Sequence, residues 1–197
     1  LGFLTACPTN VGTGFRSSAM LHLPGLTLLK DVENALQGLA HYGLVVRGFH
    51  GENSEFTGDL FQISNEVTLG KKVEEIVHSL QDVIERLIER EDEARIELFR
   101  HHKLATEDTI WRSFGQLTNA VRMDTSEAMK HLSSLRLGID RGYFRELSHR
   151  DLNRIFMEIQ PGHLEKSRAT EKDEGLRDET RARFLRTAIS RADDDAS

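Results

Sequence analysis

The chain has 197 residues, 38% of them apolar and 29% charged, and a formal net charge of -6. That length carries one substantial core or two small ones. The acidic balance argues against a whole-chain nucleic-acid binder, and no stretch approaches the roughly 18 consecutive apolar residues of a membrane span. A single cysteine, Cys7, excludes an internal disulfide framework and fits a reducing cytoplasm. Nine histidines do not make a metal site, because His101 and His102 are adjacent and no HExxH or Cys/His ligand spacing occurs. The amino end lacks the charged and apolar blocks of a signal peptide. It opens on strand-like residues without an initiator methionine, which reads as a fragment of a longer protein.

Residues 1–6 read as a strand ending at Cys7-Pro8. Residues 9–14, TNVGTG, form a turn-rich loop whose backbone amides could approach a ligand closely. It is no Walker loop, since no GK[ST] follows, and no GxGxxG is present. Residues 15–23, FRSSAMLHL, alternate as a second strand that Pro24-Gly25 stops. On it Arg16, Ser18, Met20 and His22 share one face, which should line a site, while Phe15, Ser17, Ala19, Leu21 and Leu23 share the other. Residues 26–41 have helical apolar spacing, with Gly43 as the stop.

Residues 44–58, LVVRGFHGENSEFTG, organise the rest. Leu44, Val45 and Val46 form a short strand that delivers Arg47 to its carboxyl end, where Gly48, Gly51 and Gly58 permit a mobile loop carrying Glu52 and Glu55. An arginine on a rigid strand followed by a carboxylate on a closing loop suits a highly charged substrate: the cation holds phosphate, the anion a cationic acceptor. A hairpin-like surface loop with solvated charges is the alternative. Residues 60–67 are the next strand. The order strand, strand, helix, strand, strand gives an α+β fold with an antiparallel sheet rather than a doubly wound one.

From Lys71 the pattern becomes helical. Val73, Ile76, Val77, Leu80, Val83, Ile84, Leu87 and Ile88 form an apolar core stripe. Thr106 starts a helix reaching about Arg122, Asp124 with Glu127 starts another, and Ser148 with Asp151 a third. Residues 165–175 are charged and poorly patterned, hence a linker, and a last helix spans about 178–189 with Phe184, Leu185 and Ile189 inward. The terminal RADDDAS is frayed. The domain boundary falls near 98–103, separating residues 1–100 from a helical domain at 101–197.

Two arginines, Arg16 and Arg47, thus close separate strands leading to glycine-containing loops, and guanidinium groups suit bidentate phosphate contacts. The blocks CPTNVGTGFRSS, RGFHGENSE and LFQISNEVTLG, in this order, resemble those of the phosphagen (ATP:guanido) kinases, approximately CPTNLGTxxRAS, RGxxGEHTE and YDISNxxRLG. MLHLPGL replaces the histidine-bearing strand of the small-molecule kinases, so Met20 stands where their adenine-side histidine would be, and the loop is GENSE. With SSLRLGID and LNRIFMEIQPGHL in the tail, the chain is most similar to the bacterial protein-arginine kinases of that family.

The resemblance implies the second half of a glutamine-synthetase-like catalytic domain, an antiparallel sheet flanked by helices, followed by a helical carboxyl-terminal domain. It implies that Arg16 and Arg47 bind the phosphates of ATP, with Ser17, Ser18, Ala19, Met20, Gly48, Phe49, His50 and Gly51 contributing to the nucleotide pocket. Glu52 corresponds to one of two carboxylates that grip the guanidinium, and magnesium would be held through the phosphates without a protein ligand. Cys7 falls at the substrate-side cysteine, and its alternative is a buried strand-end thiol. His22 and His50 read as solvated surface residues. The amino-terminal half, with further arginines and the partner carboxylate, is missing from these residues, so the fragment alone is expected to be inactive. Residues 177–182, RDETRA, resemble an RDxxRA pocket for phosphorylated arginine, with Arg177 and Arg181 one turn apart to grip phosphate and Asp178 to meet the guanidinium; the alternative is a solvated helix face. Implied partners are arginine-bearing protein substrates, among them a heat-shock repressor, a zinc-containing activator protein and a second copy in a homodimer. No membrane or direct nucleic-acid partner is implied. The competing function is a non-catalytic phosphoarginine- or partner-binding module derived from a guanidino kinase.

Overall fold

The computed structural model describes residues 11–48, 56–168 and 173–194. The chain divides between His101 and His102 into two compact units.

In the first unit, strands β1 (Ser18–His22), β2 (Leu44–Gly48) and β3 (Leu60–Asn65) form an antiparallel sheet in the order β1-β3-β2. The register aligns Met20 and Arg47 on either side of Gln62, and Ser18 and Val45 on either side of Ser64. Side chains alternate across a strand. Ala19, Leu21, Leu44, Val46, Phe61 and Ile63 therefore take the other face, and Leu44, Phe61 and Ile63 are buried there against Leu80, Val83 and Leu87. Those last three belong to α3 (Val73–His101), the long helix expected from the stripe. Its buried positions are Ile76, Leu80, Val83, Leu87, Glu91, Ala94 and Leu98, whereas Ile88 is exposed.

The single helix expected over 26–41 is instead α1 (Pro24–Leu28), α2 (Val32–Leu36) and a 3-10 turn (Leu39–Tyr42). Pro24 both stops β1 and opens α1, where its fixed φ fits the first helical turn. The break comes at Lys30, in the left-handed region at φ 59°, a conformation that no sequence signal marks in a lysine. Beyond it Asp31 accepts hydrogen bonds from Asn34 (2.8 Å) and from Arg90 of α3 (2.7 Å). Across 26–41, Leu26, Ala35 and Leu39 are buried in the core and Leu29, Val32 and Leu36 pack partly buried against it, whereas Leu28 and Ala40 are exposed.

Glu91 is the one carboxylate among the buried positions of α3. It is 4% exposed and accepts from Gly25 N (2.8 Å), Leu26 N (3.0 Å) and Arg95 Nε (2.6 Å). Burial pushes its carboxyl above the usual range, against the opposing pull of these donors. The carboxylate thus supplies acceptors for the first amides of α1 directly after β1. Glu91→Ala leaves two buried N–H groups without that acceptor, and each such group costs about 1–3 kcal/mol. Thermal unfolding should show a loss of roughly 2–6 kcal/mol on that basis, and a change within about 0.5 kcal/mol, the range of a surface substitution, would refute this role.

The second unit contains α4 (Lys103–Asn119), α5 (Thr125–Asp140), α6 (His149–Glu158), α7 (Pro161–Arg168) and α8 (Glu174–Asp194). Asp124 caps α5 by accepting from Glu127 N, and Ser148 with Asp151 forms a complete capping box on α6, as the sequence predicts. Thr106 is not a cap: it lies inside α4, buried, and donates back to the carbonyl of His102. The expected linker at 165–175 is partly helical, since α7 runs to Arg168 and α8 begins at Glu174. Leu185 and Ile189 point inward as expected, together with Ala182. Gly138 is required where α4 and α5 pack, because an added Cβ would lie 2.7 Å from Ile110 Cγ2 and 2.5 Å from the Phe144 ring.

Candidate active site

The face of the sheet turned away from the core carries Ser18, Met20, Gln62, Ser64 and Arg47. β2 holds the Arg47 backbone, and Arg47 Nη1 donates to Ser64 Oγ of the central strand at 2.6 Å. A second link crosses to the far strand, where Gln62 Nε2 donates to Ser18 Oγ at 3.3 Å. Ser64 is fully buried beneath this row, while Ser18 and Met20 are exposed. The result is a polar strip with a guanidinium fixed at one side and an exposed thioether at the other.

Arg16 lies two residues before β1 and is exposed. Its backbone is bracketed by Asn65 at the end of β3: the side-chain Oδ1 accepts from Ser17 N (2.7 Å), Nδ2 donates to Phe15 O (2.9 Å), and Asn65 N donates to Ser17 O (3.2 Å). Both neighbours of Arg16 are thus tied to one side chain that is 6% exposed. In the sequence Asn65 reads only as part of a strand running to Val67. The signal that could have found it is an asparagine closing a strand opposite an arginine-bearing segment, where its amide can serve one donor and one acceptor at once.

Val11 and Gly12, within the TNVGTG segment, are held in a way the sequence does not predict. Thr68 Oγ1 donates to Val11 O at 2.7 Å, and a Cβ on Gly12 (φ 108°) would come within 2.8 Å of Leu69 Cα and Thr68 O. The close approach that demands glycine here is to the chain's own backbone. His22, expected as a solvated surface residue, is half-buried at the end of β1 opposite Leu60. Cys7, Phe49, His50, Gly51, Glu52 and Glu55 lie outside the described residues. Among the described residues no group of three or more His, Cys, Asp and Glu side chains is placed to hold a metal ion, and no helix is long and apolar enough to cross a membrane.

In the second unit the RDETRA residues sit in the first half of α8. Arg181, read from sequence as a partner of Arg177, is turned inward and 2% exposed. Its Nε donates to Ile159 O (3.0 Å) and its Nη1 to Met123 O (2.8 Å) and to Asp178 Oδ1 (2.7 Å). Arg177 instead pairs with Glu165 of α7 at 2.7 Å. Asp178 also receives Met123 N at its backbone carbonyl (3.3 Å), and Arg186 donates to Ala120 O. A solvated helix face does not describe this arrangement: α8 clamps the turn between α4 and α5 with backbone-directed guanidinium groups. The Asp178 carboxylate keeps 14% exposure, and its second oxygen lies 3.6 Å from Arg122 Nη2.

Residues 1–94 match the model of the ATP:guanido phosphotransferase C-terminal catalytic domain, and residues 103–197 match that of the protein-arginine kinase McsB C-terminal domain. The chain belongs to the ATP:guanido phosphotransferase family, in its protein-arginine kinase branch. Curated relatives carry the name protein-arginine kinase. That of Shouchella clausii is 44% identical over 188 residues, covering 95% of this chain and 52% of the relative. That of Brevibacillus brevis is 45% identical over 188 residues, covering 95% and 53%, and one from Bacillus cereus is 42% identical over 190 residues, covering 96% and 54%. The chain therefore spans about half the length of the curated relatives it matches. Of the residues that carry the family likeness, Arg16, Ser18, Met20 and Arg47 fall together on or beside the exposed strip of the sheet.

Proposed function

We propose that this chain is the carboxyl-terminal portion of an ATP-dependent protein-arginine kinase, with residues 1–100 supplying half of the catalytic site and residues 101–197 a phosphoarginine-sensing helical domain. The observation that carries the reading is the strip itself, where Arg47 and the Arg16 segment flank a polar row on a sheet whose other face is core. In-line phosphoryl transfer asks for charge neutralisation and alignment rather than covalent assistance. Arg16 and Arg47 would hold the ATP phosphates, with Ser17 to Met20 and Gly48 to Gly51 around the nucleotide. Magnesium, which neutralises charge between the phosphates, would be carried by them. Glu52 would orient the acceptor guanidinium. As the new N–P bond forms and the bond from the γ-phosphorus to the bridging oxygen breaks, a carboxylate takes the nitrogen's proton late, because a guanidinium does not release it beforehand. Protein substrates bearing arginine, a heat-shock repressor, a zinc-containing activator and a second copy of the protein are the partners this reading proposes.

Arg177 and Asp178 would receive phosphorylated arginine and so bias the kinase toward its active arrangement, which requires unequal affinity for two states. Arg181 would act from beneath by fixing the Asp178 carboxylate. A non-catalytic module is the second reading, favoured by how much of the RDETRA cluster is built within the helical unit alone. The test uses the full-length protein with ATP and an arginine-rich protein, with phosphoarginine measured directly. Wild type should form it, and Glu52→Gln should bind ATP nearly as well while losing at least about a hundredfold in rate, since the isostere removes only the charge facing the acceptor. Absence of product from wild type would favour the module.

A further inference from the structure

The Asp178 carboxylate is arranged asymmetrically. Oδ1 is held from inside by the buried Arg181 at 2.7 Å, whereas Oδ2 faces Arg122 at 3.6 Å across the α4–α5 turn, and the Arg122 side chain is 69% exposed. The internal pair is a short charge-assisted hydrogen bond; the outer one is a loose ion pair of the kind that contributes little in water. The oxygen that an external guanidinium would reach is therefore covered by a guanidinium of the protein's own. Resting on the phosphoarginine reading of this cluster, we infer that Arg122 is its specificity-determining residue and discriminates phosphorylated from unmodified arginine.

The chemistry follows from exchange. Any incoming guanidinium must displace Arg122 from Oδ2, and plain arginine offers the displaced cation nothing in return. Phosphorylated arginine brings a doubly charged group next to its guanidinium, so Arg122 moves from carboxylate to phosphate and keeps an anionic partner. The turn that carries Arg122 is fixed on both sides, by Arg181 at Met123 O and Arg186 at Ala120 O. Its backbone stays in place while the long exposed side chain swings. Arg122 thus penalises one ligand and rewards the other with the same charge.

The experiment is calorimetric titration of free phosphoarginine and free arginine into the full-length protein, in wild type, Arg122→Ala and Arg122→Lys. Arg177→Ala identifies the part of the binding that belongs to this cluster. Phosphoarginine binding at the cluster should weaken about tenfold or more in Arg122→Ala, the scale of one lost charged contact. Arginine binding should stay constant or tighten, and Arg122→Lys should recover part of the preference. Arg122 is exposed, so the alanine variant should unfold at the wild-type temperature. An unchanged ratio of the two affinities in Arg122→Ala overturns this inference alone. Wild-type phosphoarginine binding that is absent, or untouched by Arg177→Ala, overturns the underlying reading as well.

Discussion

Arg47→Ala in the full-length protein is expected to weaken ATP binding by about 10- to 100-fold, the range set by a charge-assisted hydrogen bond of roughly 1.5–3 kcal/mol. The size follows from how the side chain is held. β2 fixes its backbone, and Ser64 Oγ accepts from Nη1 at 2.6 Å. A guanidinium placed in advance loses little rotamer entropy on meeting phosphate. Arg47→Lys should recover only part of the affinity, because an ammonium on a flexible stem is a point charge without the planar fork that can hold Ser64 and phosphate oxygens together. Fluorescent-nucleotide titration gives the comparison. Equal affinities for wild type and Arg47→Ala would remove Arg47 from the phosphate site.

Asn65→Asp should lower ATP affinity by about tenfold through Arg16, the loss expected when one charged contact is mis-aimed. The substitution keeps size and shape but turns the donor facing Phe15 O, now at 2.9 Å, into a second acceptor. Two oxygens then face each other in a place that is 6% exposed, and the segment on one side of Arg16 must move. Since Asn65 acts through Arg16, the two changes should not add. Arg16→Ala costs its full effect in wild type and little in the Asn65→Asp background, a coupling that double-mutant cycles resolve. Additive losses would mean that Asn65 supports the sheet in general and has no particular bearing on Arg16.

Much of this was legible before any coordinates. Period-two alternation assigns Ser18 and Met20 to the open face of β1, and helical spacing marks α3 from Val73 to Ile88, because burial on one side leaves a regular imprint on sequence. The caps Asp124 and Ser148 were readable for the same reason: their chemistry is local. What stayed hidden depends on contacts between distant residues. The break at Lys30 is a left-handed residue that only packing against α3 and the Asp31 to Arg90 pair explain. Glu91 appears in sequence as one more charge on a polar face, yet it serves amides 65 and 66 positions away. Arg181 looks like half of a solvated pair until the carbonyls of Met123 and Ile159 are found around it. Polar groups buried by tertiary contact leave no period in the sequence.

The strip formed by β1, β3 and β2, with the Arg16 segment, is the proposed nucleotide site. Amide hydrogen exchange of the full-length protein with and without saturating ATP and magnesium tests it most directly. Exchange should slow at residues 15–20 and 44–48, where ligand contacts stabilise strands that open locally in its absence, and Arg47→Ala should abolish that change at the same nucleotide concentration. Unaltered exchange in both segments while nucleotide is demonstrably bound would contradict the account.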